Sequence, residues 1–249
     1  MSILKGKTAF VTGGTRGMGE AIVRRYIQEG AEVAFTYVNS DEKAEALVAE
    51  IARSGGVAYA IKADASISGN TEKAIIEAAD KFGKIDILVN NAAISIAGPV
   101  EQAHTQADDY NRQIDVNIRA VTEAVRTALR FMPDGGRIIT IGSVGAKRIG
   151  GPTMSEYIAT KAAVGAYSRG LAWDLGLRNI TINTIEPGVI DTDMLKKADN
   201  ATREFYMNAM ALKRLGTPED VAGLANFLAG PDAAYITGSS IVIDGGFSA

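Results

Sequence analysis

A chain of 249 residues, 47% apolar and 22% charged with a formal net charge of −3, has the make-up of a soluble globular protein and enough length to bury a substantial core. The absence of cysteine and the presence of a single histidine exclude a disulfide framework, a thiolate nucleophile and a Cys-ligated metal, and make a zinc site or a Ser-His-Asp triad improbable. There is no basic block of the kind nucleic acid requires and no apolar run of the ~18 residues a membrane span needs. The expectation is a cytoplasmic protein with no resident metal and no nucleic-acid or membrane partner. The one histidine, His104, lies in the polar run EQAHTQADDY and reads as a solvated loop residue.

Short β-branched runs alternate with longer alanine-rich segments along the whole chain. KTAFVTG reads as a strand, and MGEAIVRRYIQEG as a helix closed by Gly30. AEVAFTYV is a second strand. SDEKAEALVAEIARSGG is a helix with Ser40 as its N-cap and Gly55-Gly56 at its end. VAYAIKAD is a third strand, followed by a helix from Ser68 to Phe82. IDILVNNAA is apolar at nearly every position, as a strand covered on both faces must be.

A helix from about Ala107 to Phe131 then leads to the strand GRIITIGS, and one from about Ser155 to Leu177 leads to NITINTIEPG. A last helix, Pro218 to Ala229, precedes the short strand SSIVIDGG. About seven strands alternating with helices, with no linker between them, predict one α/β domain over residues 1–249. Its doubly wound sheet is mostly parallel, with helices on both faces and a ligand crevice at the strand carboxyl ends.

The first strand runs into TGGTRGMG and a helix begins at once. Glycines there let the backbone come close to a pyrophosphate, whose charge the helix N-terminus attracts. The spacing of Gly13, Gly17 and Gly19 is G-x-x-x-G-x-G, without the Gly-Lys-Ser/Thr of a Walker loop. Gly13, Thr15, Arg16, Gly17, Met18 and Gly19 are therefore candidate dinucleotide contacts. At the end of the second strand stand Tyr37, Asn39 and Ser40, with Asp41 later, where an NAD site usually offers an acid for the ribose. Arg16 is either a cation for a 2′-phosphate or a solvent-exposed loop arginine. The balance favours NADP(H) over NAD(H).

Tyr157 and Lys161 lie four residues apart in SEYIATKAAVGAY and share a helix face. With eight tyrosines and ~5% lysine, roughly 0.4 such pairs are expected by chance, so context decides. Ser143 ends the strand just before this helix's lead-in loop and stands at the same sheet edge as the glycine turn. Carbonyl reduction needs a proton donor and the reverse reaction a base. Bringing a phenol from ~10 to ~7 takes about 4 kcal/mol, the order supplied by one ammonium ~4 Å away at an effective dielectric of ~20. Lys161, with an oxidised nicotinamide, is a sufficient source, and Ser143 is placed to hold the substrate oxygen.

These pieces, together with Asp64-Ala65, NNAA at Asn90 to Ala93, VNI around Asn117, YIATK, PGVIDT and ITGSSIVIDGG, make the chain resemble a classical short-chain dehydrogenase/reductase over essentially its whole length. The resemblance implies a Rossmann-type fold, with Tyr157 as general acid/base and Lys161 lowering its pKa while binding the nicotinamide ribose. It implies that Ser143 orients the carbonyl and that Asn117 holds a water relaying protons from Lys161. It further implies adenine contacts from Asp64 and Ala65, a cleft lined by Asn91 and Ala92, and nicotinamide-side contacts from Pro187, Gly188, Ile190 and Thr192. The resemblance also implies a homotetramer or homodimer.

Two departures stand out. Ala93 occupies a position usually held by glycine, and Trp173 stands where the similar 3-oxoacyl-[acyl-carrier-protein] reductases typically carry a carrier-docking arginine. Trp173 reads either as a weakened carrier assignment or as simple packing. The segment DMLKKADNATREFYMNAMALKRLG offers Met194, Leu195, Phe205, Tyr206 and Met210 as an apolar face. Residues 192–213 are thus either a substrate lid or an ordinary surface helix pair. The leading expectation is an NADPH-dependent ketone reductase working on a small-molecule carbonyl. The alternatives are a 3-oxoacyl-[acyl-carrier-protein] reductase and a non-catalytic dinucleotide- or ligand-binding regulator.

Overall fold

The computed structural model describes residues 2–148, 151–196 and 200–249. Seven strands, β1 (Thr8–Val11), β2 (Glu32–Tyr37), β3 (Ala58–Lys62), β4 (Ile87–Asn90), β5 (Arg137–Ile141), β6 (Thr181–Pro187) and β7 (Ser240–Ile243), form one sheet in the order β3-β2-β1-β4-β5-β6-β7. Every pairing is parallel, so the expected mostly parallel sheet is wholly so. The order reverses between β1 and β4, and a crevice opens there at the carboxyl ends.

Register brings the site to that edge. Val11 pairs with Phe35 and Val89, Asn90 with Thr140, Ile141 with Ile185, and Pro187 with Ile243. The glycine turn, Asn91, Ser143 and Gly188 therefore leave the sheet side by side.

The helices are α1 (Gly17–Gln28), α2 (Asp41–Arg53), α3 (Asn70–Phe82), α4 (Ala107–Ile114), α5 (Ala120–Ala128), α6 (Ser155–Leu175), α7 (Asp193–Lys196), α8 (Asn200–Ala209) and α9 (Pro218–Ala229). Side-chain alternation along the strands builds a core on each face. Ala9 and Val11 point to one layer with Ile22, Tyr26, Leu47, Val221 and Leu228. Phe10 and Leu88 point to the other with Ile75, Val125, Leu171 and Leu175. Because both faces are covered, β1 and β4 are buried at every residue, which explains their unbroken apolar runs.

The single helix expected from Ala107 to Phe131 is instead three pieces. A 3-10 segment, Val100–Gln106, leads into α4, and a π turn, Asp115–Arg119, separates α4 from α5. Helical periodicity continues through a π turn with one residue of slippage, so apolar spacing does not reveal it. Ser40 holds the N-cap position of α2 but makes no side-chain cap bond, whereas Thr217 and Asp220 form a complete capping box on α9.

Candidate functional site

The turn between β1 and α1 is shaped by steric need. Gly13 and Gly17 have φ of 71° and 52°, a region costly for any residue with a Cβ. A Cβ on Gly19 would lie 2.0 Å from the carbonyl oxygen of Gly13, so the helix can begin this close to the turn only with glycine there. The turn is also tied down. Gly13 N donates to Thr36 Oγ1 at 3.0 Å, and Asn91 Nδ2 donates to the carbonyls of Thr12 and Gly13 at 2.9 and 3.0 Å. Thr12 Oγ1 accepts from the backbone N–H of both Asn91 and Ala92 at 2.9 Å. Thr12 is a site residue the sequence reading passed over, because a threonine ending a strand looks like any other.

This turn fits a dinucleotide phosphate. The N-cap of α1, Arg16, provides no side-chain cap, leaving the first helical N–H groups for an anion. The Arg16 side chain is exposed and has no hydrogen bond or ion pair among the described residues. Thr15 is buried in the turn, and Met18 packs on the core. Thr192, distant in sequence, comes within 3.4 Å of a Cβ built on Gly17.

At the end of β2, Asp41 is already engaged. Lys62 Nζ donates to both of its carboxylate oxygens at 3.0 and 2.8 Å, and Tyr37 donates its hydroxyl at 3.1 Å. The Lys62 hydrogen bonds, then the Tyr37 one, hold the Asp41 carboxyl below its ordinary range. Asn39 is exposed, and the Ser40 hydroxyl makes no capping bond. The first acid after β2 thus turns to a lysine that the sequence reading did not consider, and Arg16, Asn39 and Ser40 remain for a ligand. Asp64 closes its own turn by accepting from Ser66 N and Oγ at 2.8 and 2.7 Å. Ala65 and Ala92 line one small cavity with Thr12 and Asn90.

The candidate proton-transfer group lies along α6 and its neighbours. Lys161 is 5% exposed; its Nζ donates to the carbonyl of Ile141 at 2.8 Å and stands 5.8 Å from the centre of the Tyr157 ring. Burial lowers its pKa to about 8. Burial also pushes the Tyr157 phenol up to about 12, against the opposing hydrogen bond of Ser143. In the protein alone, burial therefore acts on both groups against their charged forms; the charge expected to lower the phenol was that of Lys161 together with an oxidised nicotinamide. Ser143 Oγ accepts from Gly145 N at 3.1 Å, which fixes the hydroxyl at the end of β5.

Asn117 sits inside the π turn and is 2% exposed. Its Nδ2 donates to Ile94 O at 2.9 Å and Thr160 Oγ1 at 3.0 Å, and its Oδ1 accepts from Ile94 N at 3.0 Å. The amide's donors are spent on clamping the strand exit after β4 to α6, so Asn117 can enter a relay only as an acceptor.

The loop after β6 is equally constrained. Gly188 N donates to Ile243 O at 2.9 Å, and a Cβ on Gly188 would lie 2.6 Å from Asp244 Cβ. Pro187 and Ile190 are buried, and Ile190 bridges to Gly216. Below the expected substrate position, Val144, Met210 and Phe247 form a small apolar cluster joined by Val189 and Tyr206.

Of the apolar face expected on residues 192–213, Met210 is buried but Phe205 is 56% exposed. The Met194 side chain and residues 197–199 lie outside the described residues. Trp173 is 91% exposed and is therefore not a packing residue of this chain. Ala93 causes no strain, since the only non-glycine residues with positive φ among those described are Thr153 and Asn179.

Residues 13–248 match the family described as Enoyl-(Acyl carrier protein) reductase. The Cyclic-di-GMP-binding biofilm dispersal mediator protein of Escherichia coli is 43% identical over 249 residues, covering 100% of both chains. The 3-oxoacyl-[acyl-carrier-protein] reductase of a Synechocystis species is 38% identical, covering 99% of this chain and 98% of its own. Among solved structures, a blue fluorescent protein from a metagenomic library in complex with NADPH matches with a TM-score of 0.95 at 46% identity, over 99% of this chain and 100% of that one. A short-chain dehydrogenase/reductase from Serratia marcescens matches with a TM-score of 0.95 at 45% identity, over the same shares. The sheet order, the glycine turn and these full-length matches agree: the chain belongs to the classical short-chain dehydrogenase/reductase family of NAD(P)-dependent oxidoreductases.

Proposed function

We propose that the protein reduces a ketone to a secondary alcohol with NADPH, reversibly, with Tyr157 as general acid/base. The observation that carries this reading is the meeting of Ser143, Tyr157 and Lys161 on the sheet edge beside the glycine turn. NADPH supplies the hydride when bound. Tyr157 gives its proton to the substrate oxygen, which Ser143 holds by hydrogen bond. Lys161, already fixed by the Ile141 carbonyl, favours the phenolate when the reaction runs toward the ketone. Asn117 supports the relay from Lys161 as an acceptor.

Cofactor contacts are proposed for Gly13, Thr15, Arg16, Gly17, Met18 and Gly19 at the phosphates, and for Tyr37, Asn39 and Ser40 at the adenosine ribose. Asp64 and Ala65 take the adenine, Asn91 and Ala92 the cleft wall, and Pro187, Gly188, Ile190 and Thr192 the nicotinamide side. Residues 192–213 serve as the cover over the substrate, with Met210 seated on Val144 and Phe247 as the supporting contact.

Two other readings have support of their own. The Synechocystis relative's name points to 3-oxoacyl-carrier reduction, and a far higher rate on an acetoacetyl thioester than on any simple ketone would select it. The Escherichia coli relative's name points to a ligand-binding regulator. Against a cationic pocket for a phosphodiester, the groove between α3 and α5 balances Arg119, Arg126 and Arg130 with Glu72, Asp115 and Glu123. Arg119 already pairs with Asp115, and Arg130 with Glu72.

Self-association as a tetramer is part of the proposal. Along α6 and just beyond it Ala162, Ala166, Gly170, Trp173 and Leu177 are all exposed, and the outer edge of β7 has no partner strand among the described residues.

Tyr157→Phe is expected to lower kcat on a ketone panel about a hundredfold or more while leaving NADPH affinity within about threefold; retained turnover would contradict the mechanism. Arg16→Ala is expected to weaken NADPH binding about tenfold or more, with little change for NADH. An equal effect on both, measured by fluorescence titration, would remove the 2′-phosphate reading. Light scattering is expected to give a tetramer for the wild type and a smaller species for Trp173→Glu; a wild-type monomer would refute the assembly.

A further inference from the structure

Ser143 stands at the end of β5, and the chain after it turns back over the sheet edge as far as Arg148. Two neighbouring cations fix this turn to the C-terminal part of the molecule. Arg148 does so at the surface, donating to the carbonyl of Phe247 at 2.6 Å and lying 5.4 Å from that ring's centre. Lys147 does so against a buried charge. Its Nζ lies 3.0 Å from Glu186 Oε2, on a side chain only 5% exposed, and it also donates to Ser240 O at 3.2 Å.

Glu186 belongs to β6 and directly precedes Pro187-Gly188. A Cβ on Gly142 would come within 3.5 Å of Glu186 Cγ. The acid therefore lies against the strand end that carries Ser143 and also begins the loop Pro187–Thr192. Among the described residues Lys147 is its ion-pair partner. Oε2 has no aligned hydrogen bond there, so proximity of opposite charge, not hydrogen-bond geometry, holds the contact.

We propose that Lys147 and Glu186 are a positioning pair that sets the Ser143 turn against the loop Pro187–Thr192 and acts on the chemical step through Ser143. The inference rests on the reductase reading given above. Removing the lysine leaves a carboxylate buried without a countercharge, which is relieved when the turn opens to water. Removing the acid releases the ammonium to solvent and unties the turn from β6. Losing the lysine alone therefore displaces Ser143 most, while losing the acid, with or without the lysine, only loosens the turn. The glycine turn and Arg16, proposed for the phosphates, lie across the crevice on β1 and α1; the pair reaches the cofactor only through the nicotinamide-side loop, so kcat responds more than NADPH affinity.

The test is a double-mutant cycle of Lys147→Met and Glu186→Gln, with Lys147→Arg as the conservative variant. It reads kcat and KM for the best ketone, NADPH affinity, and amide hydrogen exchange across residues 143–148. Lys147→Met is expected to lose roughly tenfold in kcat, Glu186→Gln and the double variant each about threefold, and Lys147→Arg to retain more than Lys147→Met. NADPH affinity changes less than kcat in every variant, and exchange in the turn accelerates most in Lys147→Met and less, to the same extent, in Glu186→Gln and the double variant. Singles whose effects multiply in the double, or whose loss falls on NADPH affinity, would overturn the pair while the reductase reading stands. A wild type that reduces no substrate would remove the reading instead; unchanged exchange across the four proteins of the cycle would then overturn the pair independently.

Discussion

Lys161 is 5% exposed beneath the carboxyl edge of the sheet, with its Nζ donating at 2.8 Å to the carbonyl of Ile141, and the crevice is arranged around that charge. An ammonium at such depth is tolerable only with fixed partners. The end of β5 supplies one, and the next two residues of the same strand exit lead to Ser143. Burial acts on both ends of the Tyr157–Lys161 pair in the direction that disfavours charge, raising the phenol to about 12 and lowering the ammonium to about 8. The folded chain therefore holds the proton on Tyr157. On the proposed mechanism, converting it into a base takes further positive charge beside it, which a bound oxidised nicotinamide would bring.

Much of the fold was legible because both faces of the sheet are buried. Runs such as IDILVN and TAFV can only be central strands when they alternate with amphipathic segments, and each of the seven expected strands is present in the expected place. The glycine turn was legible for a steric reason: Gly19 admits no Cβ against the Gly13 carbonyl, and the sequence shows that requirement directly. Tyr157 and Lys161 were legible only through Ser143, since a helical pair four residues apart says nothing about which strand end it faces.

What the sequence concealed is mostly tertiary. The π turn at Asp115–Arg119 leaves no trace in apolar spacing. Its purpose becomes visible only when Asn117 is found bonded to both backbone atoms of Ile94. Lys62 and Asp41 are twenty-one positions apart and meet because β2 and β3 end in register. Lys147 and Glu186 come from separate strand exits, and neither belongs to a motif. Trp173 was open to two readings, and its exposure removes the one in which it packs within the chain. In each case the deciding quantity is a through-space contact or its absence, which local pattern does not encode.

The measurement that bears most directly on this account is the titration of the Tyr157 phenol in the free protein and with NADP⁺ bound. It can be followed as phenolate absorbance with Tyr157→Phe subtracted to remove the other tyrosines. The account predicts no ionisation of Tyr157 in the free protein until the pH approaches about 12. With NADP⁺ bound it predicts a fall below the ordinary tyrosine value of ~10. A free protein in which Tyr157 already titrates near neutrality, or a phenol whose titration NADP⁺ leaves in place, would contradict it.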